Sequence, residues 1–521
     1  MAIAPVRNYH KYLLLLLAAL TAFRVMGLII SPLNLHGDEA QYWAWSRNFD
    51  WGYFSKPPMI AWLIGATTAI FGNEEWAVRL SSPLIHPITA YIVFRTGRFL
   101  FDDRTGFWAA ILYFLMPAVW LSSAIVSTDV ALLLFWALAL NAWAHLRETP
   151  NLKWALLLGA AIGLGMLSKY AMLFFMLALS ICIIIDPKTR RAMLSKYGLI
   201  ISAIALIILS PNLLWNAAND FATVNHTAAN ANIKENFFHP IELLEFIISQ
   251  FGVFGPLTMA ALLLGCYLGM SGRLSKPIQI LCVFTALPLL VICAEALLSR
   301  ANANWAVSAY ISGTIITAHF GLQFWEKWLK RGVTVNIFAG IVFSILVLSP
   351  ALVNAMGGAN AVKRVRGWPE TQTLLANLAN QGHDQQKYHA IATDNRLVFF
   401  NLLYYGIETD TGLPLRMWLN TSHPFHHAEA VAPLPASTLD QGPVLIINYY
   451  LDCWEQTSKE PQKCAEEIHA RGKQTYAEKF KDDFVRLEQL PPLRLDLGGG
   501  KIRTYRLWAG YGYTPTTKTD R

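Results

Sequence analysis

The chain has 521 residues, 54% of them hydrophobic and only 15% charged, with a mean hydropathy of +0.36. A soluble domain carries about a quarter charged residues, so this composition excludes an ordinary soluble enzyme and predicts a polytopic α-helical membrane protein. The formal net charge of +8 is scattered over short loops between apolar runs, which reads as membrane topology and not as a nucleic-acid-binding surface.

The first apolar run, near 12–31, is long for a signal-peptide core and has no small-x-small cleavage site before SPLNLHGDE, so it is read as the first transmembrane helix. A bilayer span needs roughly 17–25 mostly apolar residues. Further candidates follow at 76–98, 106–124, 129–146, 153–168, 170–186, 197–215, 246–270, 278–298, 304–322 and 333–354. This predicts about 11–13 spans, by the same length criterion. The run 59–71 is too short to cross and is read as a helix lying in the interface. Residues 1–355 then form a transmembrane domain with a first outer loop at 32–75, and residues 356–521 form a separate C-terminal domain.

Orientation follows from the Lys/Arg bias of short loops. With the N-terminus cytoplasmic, 16 Lys/Arg fall on the cytoplasmic side against 5 on the other. That arrangement puts HGDEAQYW and everything beyond residue 355 on the outer side. In the tail, KYHAIATD and GPVLIINYY read as strands, NRLVFFNLLYYG as a helix and LRLDLGGGKIRTYRLW as a hairpin around glycines, together a small α/β domain. LGGGK resembles a phosphate loop only superficially, since the spacing and the following helix are missing. Cys182, Cys266, Cys282 and Cys293 lie in apolar runs as packing residues. Cys453 and Cys464 are compatible with a disulfide in an oxidising compartment.

The ionisable residues near the outer face need an explanation, because charge in or beside a bilayer is costly. HGDEAQYWAWSRNFDWGYFSKPP, residues 36–58, places Asp38, Glu39, Asp50 and Lys56 among Trp43, Trp45, Trp51 and Tyr53. An interfacial helix with Asp38 as N-cap and an aromatic belt accounts for the tryptophans. It does not account for Lys56 before a rigid Pro-Pro, nor for Arg24, Arg79, Asp129 and Lys169 at a similar depth. Singly these read as a snorkelling Arg24, a helix-capping Asp129 and an interfacial Lys169. Together, two acids and several cations suit a lipid phosphate beside a catalytic carboxylate.

The segments HGDEAQYWAWSRNFDWGYFSKPPMIAWLIG, WAVRLSSPL, SSAIVSTDVALLLFW, GLGMLSKYAMLFF and ANANWAVSAY, in this order, resemble bacterial GT-C glycosyltransferases. The nearest group is the protein-O-mannosyltransferase-like one, which includes the aminoarabinose and galacturonic acid transferases acting on lipid A. The resemblance covers about residues 10–320 and extends more loosely into the tail through TDNRLVFFNLLYYG and RMW…HPFHHAE, a stretch that contains His423, His426 and His427. It implies inverting transfer of a sugar from a polyprenyl (undecaprenyl) phosphate donor to a hydroxyl or phosphate of an envelope acceptor, lipid A or core lipopolysaccharide first, on the periplasmic face.

By the same resemblance, Asp38 matches the first-loop acid that serves as base or organiser, with Glu39 its neighbour, and Asp129 matches a second acid. Lys56 matches a lysine that approaches the donor phosphate, and Arg79, Lys169 and Arg24 are phosphate-binding or structural candidates. No cofactor is assigned. A divalent metal on His36, Asp38 and Glu39 stays open, although their spacing matches no strong metal signature. The tail histidines read as solvated loop residues or acceptor contacts. Competing readings are a transferase for protein or another envelope glycan, a lipid or sugar transporter, and a membrane scaffold. Transporters favour inverted repeats and broken helices at the midplane; no internal repeat is evident here, and the ionisable groups gather at one face instead.

Overall fold

The computed structural model of the chain describes residues 8–230, 238–419, 424, 426–449 and 481–515. His423, Cys453 and Cys464 lie outside the described residues. Two compact units result: Met1–Ser31 with Phe49–Ile345, and Pro32–Asn48 with Leu346–Arg521. The segment 32–48, which the sequence analysis left in the outer loop of the transmembrane domain, packs with the second unit.

The first unit is helical, and helix is found in every run predicted to span. In a bilayer only a helix satisfies all backbone groups within one segment. Among the described residues, five helices are long and apolar enough to cross alone: Tyr9–Ile29, Thr128–Glu148, Lys196–Ala218, Lys276–Leu298 and Glu326–Leu348. Up to eight qualify when each of three bent pairs counts as one span. Thr128–Glu148 is the central element, with 78% of its apolar window buried against 22% for Tyr9–Ile29 and 17% for Lys196–Ala218. Trp136, Tyr113, Tyr310, Phe94, Phe114 and Phe175 fill the interior completely.

The run 246–270, predicted as one span, is instead two helices, Pro240–Phe254 and Pro256–Met270, meeting at 108°. The cause is local. Pro256 supplies no backbone N–H and disfavours helical geometry at the preceding residue, and Gly255 takes a φ of +96° that suits glycine. A milder 52° bend separates Asp103–Leu115 from Pro117–Ala124, again at a proline. The run predicted at 76–98 breaks at Leu80 into Glu75–Arg79 and Ser81–Leu100.

Elsewhere in the first unit, Arg147 ties the end of Thr128–Glu148 to the helix Pro187–Met193. Its Nε and Nη2 donate to the two carboxylate oxygens of Asp186 at 2.7 and 3.0 Å, and Asp186 in turn caps that helix through Thr189 N at 2.9 Å. Both partners are buried.

The second unit carries a five-stranded sheet: β1 (Ala390–Thr393), β2 (Leu415–Met417), β3 (Val444–Tyr449), β4 (Phe484–Gly498) and β5 (Lys501–Tyr513), in the order β2-β1-β3-β5-β4. β1 pairs parallel with β2 and β3, whereas β5 runs antiparallel to β3 and β4. The predicted hairpin is β4–β5, turning at Gly499 and Gly500 with φ of +62° and +73°. Trp418, Trp508, Tyr513 and Ile446 pack one face of the sheet. The helix Arg396–Tyr404 leaves the carboxyl end of β1, capped by Asn395, whose side chain accepts from Leu397 N and Val398 N. The carboxyl ends of parallel strands are where α/β sheets place their functional groups.

Candidate active site

Within the second unit, the helix Gly37–Ser46 lies along the helix Arg396–Tyr404. The absence of a side chain at Gly37 admits Leu397, whose Cδ2 stands 2.5 Å from where a Cβ would be, and Trp43 meets Tyr404 edge to face at 4.9 Å. The N-cap is His36, not Asp38: His36 Nδ1 accepts from Asp38 N at 3.2 Å, and Glu39 Oε2 accepts from His36 N at 2.9 Å. This reciprocal capping box satisfies two of the donors that a helix start leaves open. It engages Glu39, which is buried, and frees the Asp38 carboxylate from capping.

Asp38 is the reactive-looking group here. Its side chain is 43% exposed, and Arg396 Nη1 donates to its Oδ1 at 2.8 Å and to Gln41 Oε1 at 2.7 Å. His36 Nδ1 lies 3.7 Å from Asp38 Oδ2. Asp38 therefore presents a carboxylate held in one orientation with a fixed positive charge beside it. Arg396 escaped the sequence analysis. The available signal was its place in TDNRLVFFNLLYYG, one residue after a cap-forming Asn.

Asp129 and Lys169 come together in the first unit. Lys169 Nζ donates to Asp129 Oδ1 at 2.7 Å, and Asn304 Nδ2 donates to Oδ2 at 2.6 Å. Asp129 sits in the first turn of Thr128–Glu148, where a carboxylate is favoured by the helix dipole, and Lys169 ends the helix Leu152–Ser168 in extended geometry. With only 6% of its surface exposed and both oxygens engaged, Asp129 organises Lys169 and Asn304. Asn304 was also missed as a site residue, although ANANWAVSAY contains it.

Lys56 sits in a loop of the same unit that is fixed at several points. Asp50 accepts from Trp215 Nε1 through Oδ2 and from Trp51 N through Oδ1, both at 2.7 Å. Asn212 Nδ2 donates to Trp51 O, and Thr223 Oγ1 donates to Tyr53 O, again at 2.7 Å. Gly52 lies against the Trp215 ring, where a Cβ would come within 2.3 Å. Tyr53 and Lys56 exchange backbone hydrogen bonds at 3.1 and 3.3 Å. Burial pushes the Tyr53 phenol up to about 12, and the Asp50 charge pushes the same way against the hydrogen bond from Asp50 N, so the phenol stays neutral at physiological pH. Tyr170, next to Lys169, donates to Asn212 Oδ1 at 2.9 Å. The element that carries Lys169 and the loop that carries Lys56 thus share one hydrogen-bonded frame.

Arg79 is buried at the end of the short helix Glu75–Arg79. Arg24 faces inward with Leu13, Leu17 and Leu28 on the first helix. Its Nη2 donates to Phe114 O at 2.7 Å, and its guanidinium lies 4.1 Å from the Phe114 ring and 4.6 Å from the Trp120 ring. Aromatic faces offer a cation an alternative to water in such a place.

At 36–39 the potential metal donors are engaged elsewhere, His36 and Glu39 in the cap and Asp38 with Arg396. Among the described residues, His383, Asp384 and Glu488 bring three ligand atoms within 4.8 Å. Arg486 lies 3.0 Å from Glu488 and 3.5 Å from Asp384, so a cation already serves these acids. His426 and His427 are less solvated than expected. His427 packs on Trp45 and Phe400, and His426 pairs with Glu429 at 3.3 Å.

Comparison with known proteins bears on this geometry. Residues 55–215 match the family described as dolichyl-phosphate-mannose-protein mannosyltransferase. The chain is 36% identical over 393 residues to the lipid A galacturonosyltransferase RgtD of Rhizobium johnstonii, covering 75% of this chain and 82% of that one. It is 31% identical to undecaprenyl phosphate-alpha-4-amino-4-deoxy-L-arabinose arabinosyl transferase 2 of Pseudomonas fluorescens, over 37% of this chain and 36% of the relative. The fold is similar to that of ArnT from Cupriavidus metallidurans bound to undecaprenyl phosphate, with a TM-score of 0.61, 14% identity and coverage of 94% and 97% of the two chains.

Proposed function

We propose, since the chain belongs to the GT-C family of lipid A sugar transferases, that it moves a hexuronic acid of the galacturonosyl class from undecaprenyl phosphate to lipid A or the adjoining lipopolysaccharide core. The observation that carries this reading is the 36% identity to a lipid A galacturonosyltransferase across most of both chains. The Lys/Arg bias supports a cytoplasmic N-terminus, with the first outer loop and the C-terminal unit in the periplasm. Nucleotide sugars are made in the cytoplasm, so transfer on the outer face calls for a lipid-borne donor.

Each group takes the role its chemistry suits. Asp38 accepts the proton of the acceptor hydroxyl, whose oxygen attacks the anomeric carbon and inverts it. Arg396 is a positioning residue that holds the Asp38 carboxylate. The departing phosphate gains negative charge as the glycosidic bond breaks, and fixed cations in a partly dry site stabilise that charge. Lys56 is the first such cation and Lys169 the second, with Asp129 and Asn304 holding Lys169 in place. Arg79 is a further phosphate candidate. Glu39 has a capping role, and Arg24 a structural one. The test is in vitro transfer by purified protein from undecaprenyl-phosphate-linked galacturonic acid and, separately, from undecaprenyl-phosphate-linked aminoarabinose, to lipid A. Selective use of the uronic donor supports the reading, and selective use of the aminoarabinose donor overturns the sugar assignment.

A further inference from the structure

At the opposite end of the helical unit from the loop of Lys56, on the topology proposed above, lies a cavity of about 400 Å³. Its walls are the start of the helix Asp103–Leu115, the start of Lys276–Leu298 and the end of Ala309–Phe324, and they offer Asp102, Arg104, Arg273, Ser275, His319 and Gln323. The single carboxylate is engaged, since Asp102 Oδ1 accepts from Thr105 N at 2.7 Å and caps a helix. Arg104 pairs with Glu326 at 2.6 Å through Nη2. The Arg273 guanidinium, by contrast, has no hydrogen bond or ion pair among the described residues. Ser275 is the N-cap of Lys276–Leu298, but its side chain makes no capping bond. The cavity thus combines an exposed, unpaired guanidinium with a free hydroxyl at a helix start. His319 is stacked on Phe101 at 4.1 Å.

The surroundings agree with that end of the unit. Trp325 and Trp328 are exposed beside Lys327, Lys330 and Arg331, the pattern of a helix end at the cytoplasmic interface. Leu274 and Leu322 supply an apolar part of the wall. A volume in the range of ordinary ligand sites, cationic and hydroxylic on one side and apolar on another, suits a phosphodiester with acyl chains. We propose that this cavity binds the phosphate headgroup of an anionic phospholipid of the cytoplasmic leaflet, a site separate from the donor lipid. Basic pockets between transmembrane helices on this side are a recurring way of holding such headgroups. The leaflet assigned rests on the proposed topology, whereas the binding itself does not.

The experiment is native mass spectrometry of the full-length protein in detergent, titrated with phosphatidylglycerol, phosphatidylethanolamine or inorganic phosphate, with Arg273→Gln and Arg331→Gln alongside. Arg331 is at the same interface but does not line the cavity. The expected result is preferential phosphatidylglycerol adducts, with apparent affinity about tenfold weaker in Arg273→Gln, the scale of one charged hydrogen bond, and unchanged in Arg331→Gln. Ser275→Asp, which places a negative charge at the cavity, is expected to weaken the adduct as well. Equal binding of the two lipids, or equal loss in the two arginine variants, overturns the proposal. Displacement of lipid by inorganic phosphate overturns the lipid assignment in favour of a free anion. Because adducts are read without any sugar transfer, an inactive protein that binds phosphatidylglycerol contradicts the proposed function and leaves this site standing.

Discussion

Arg396 Nη1 lies 2.8 Å from Asp38 Oδ1, joining residues 358 positions apart in the chain. The contact sets the carboxylate on the helix Gly37–Ser46 by means of a residue at the carboxyl end of a parallel strand, so the sheet of the second unit orients the residue assigned as base. Arg396→Gln is expected to lower kcat by up to about 10²-fold, the scale of a misplaced reacting group, with little change in donor KM. Arg396→Lys is expected to recover only part of this, because a flexible ammonium lacks the rigid planar guanidinium that fixes the two bonds from Nη1 to Asp38 and Gln41. Steady-state transfer assays that vary donor and acceptor separately check the split.

The Asp129–Lys169 pair is mostly removed from water. Truncating one partner of such a pair leaves a buried charge alone and costs about 3–5 kcal/mol. Asp129→Ala is therefore expected to lower the thermal unfolding temperature in detergent markedly. Asn304→Ala, which removes one hydrogen bond to a charged group, is expected to cost about 1.5–3 kcal/mol. Lys169→Met leaves the buried Asp129 carboxylate without its cation, so it is expected to lower the unfolding temperature as well and to reduce transfer per folded molecule. Equal unfolding temperatures for Asp129→Ala and the wild type contradict the organising role.

Asp50 and Trp215 hold the loop of Lys56 by a 2.7 Å bond. Trp215→Phe keeps the ring and removes the donor, leaving one carboxylate oxygen without its partner. The expected outcome is a rise in donor KM with expression intact. Gly52→Ala is expected to do more damage, since the new methyl meets the Trp215 ring. Measuring KM for the lipid-linked donor in both variants checks the order.

Much of this organisation is legible in the sequence. Spans announce themselves because burying twenty apolar residues needs no partner element to be known, and the β4–β5 hairpin shows through its glycines and flanking β-branched and aromatic residues. The 108° break at Gly255–Pro256 was legible too, as a Gly-Pro punctuation inside an apolar run, but hydropathy alone ran through it. Arg396 and Asn304 were not legible as site residues. Each meets its acid only after the chain has travelled 358 or 175 positions, and no local pattern encodes such a pairing. Glu39 illustrates the converse. In the sequence it looks like a second acid beside Asp38, yet its spacing of three from His36 makes it the closing member of a capping box.

At the edge of the sheet, the hydrogen bond from His383, helped by the Arg486 charge, holds the Glu488 carboxyl below its usual range. A carboxyl whose pKa is lower in the folded state adds stability above its unfolded value, near about 4.3, and that stability is lost as pH falls through the folded value. Glu488→Gln is expected to unfold at a temperature that varies less between about pH 6 and pH 3 than that of the wild type. Parallel curves for the two proteins contradict the assignment.

The tie between Arg147 and Asp186 is bidentate and buried on both partners. Arg147→Ala is expected to cost about 3–5 kcal/mol and to reduce the folded yield, with residual transfer per folded molecule near normal. Fluorescence-detected gel filtration followed by a normalised activity assay separates the two.

The central claim is that Asp38 serves sugar transfer to the outer glycolipid, and one comparison tests it most directly. Mass spectra of lipid A and core are recorded from cells lacking the protein, from cells carrying Asp38→Asn at normal abundance, and from the parent. Loss of a general base slows transfer by about 10²–10⁴-fold, so both altered strains are expected to lose the same hexuronic acid increment. A sugar lost in the deletion but retained with Asp38→Asn contradicts the role of Asp38, and an unchanged glycolipid in both strains contradicts the acceptor.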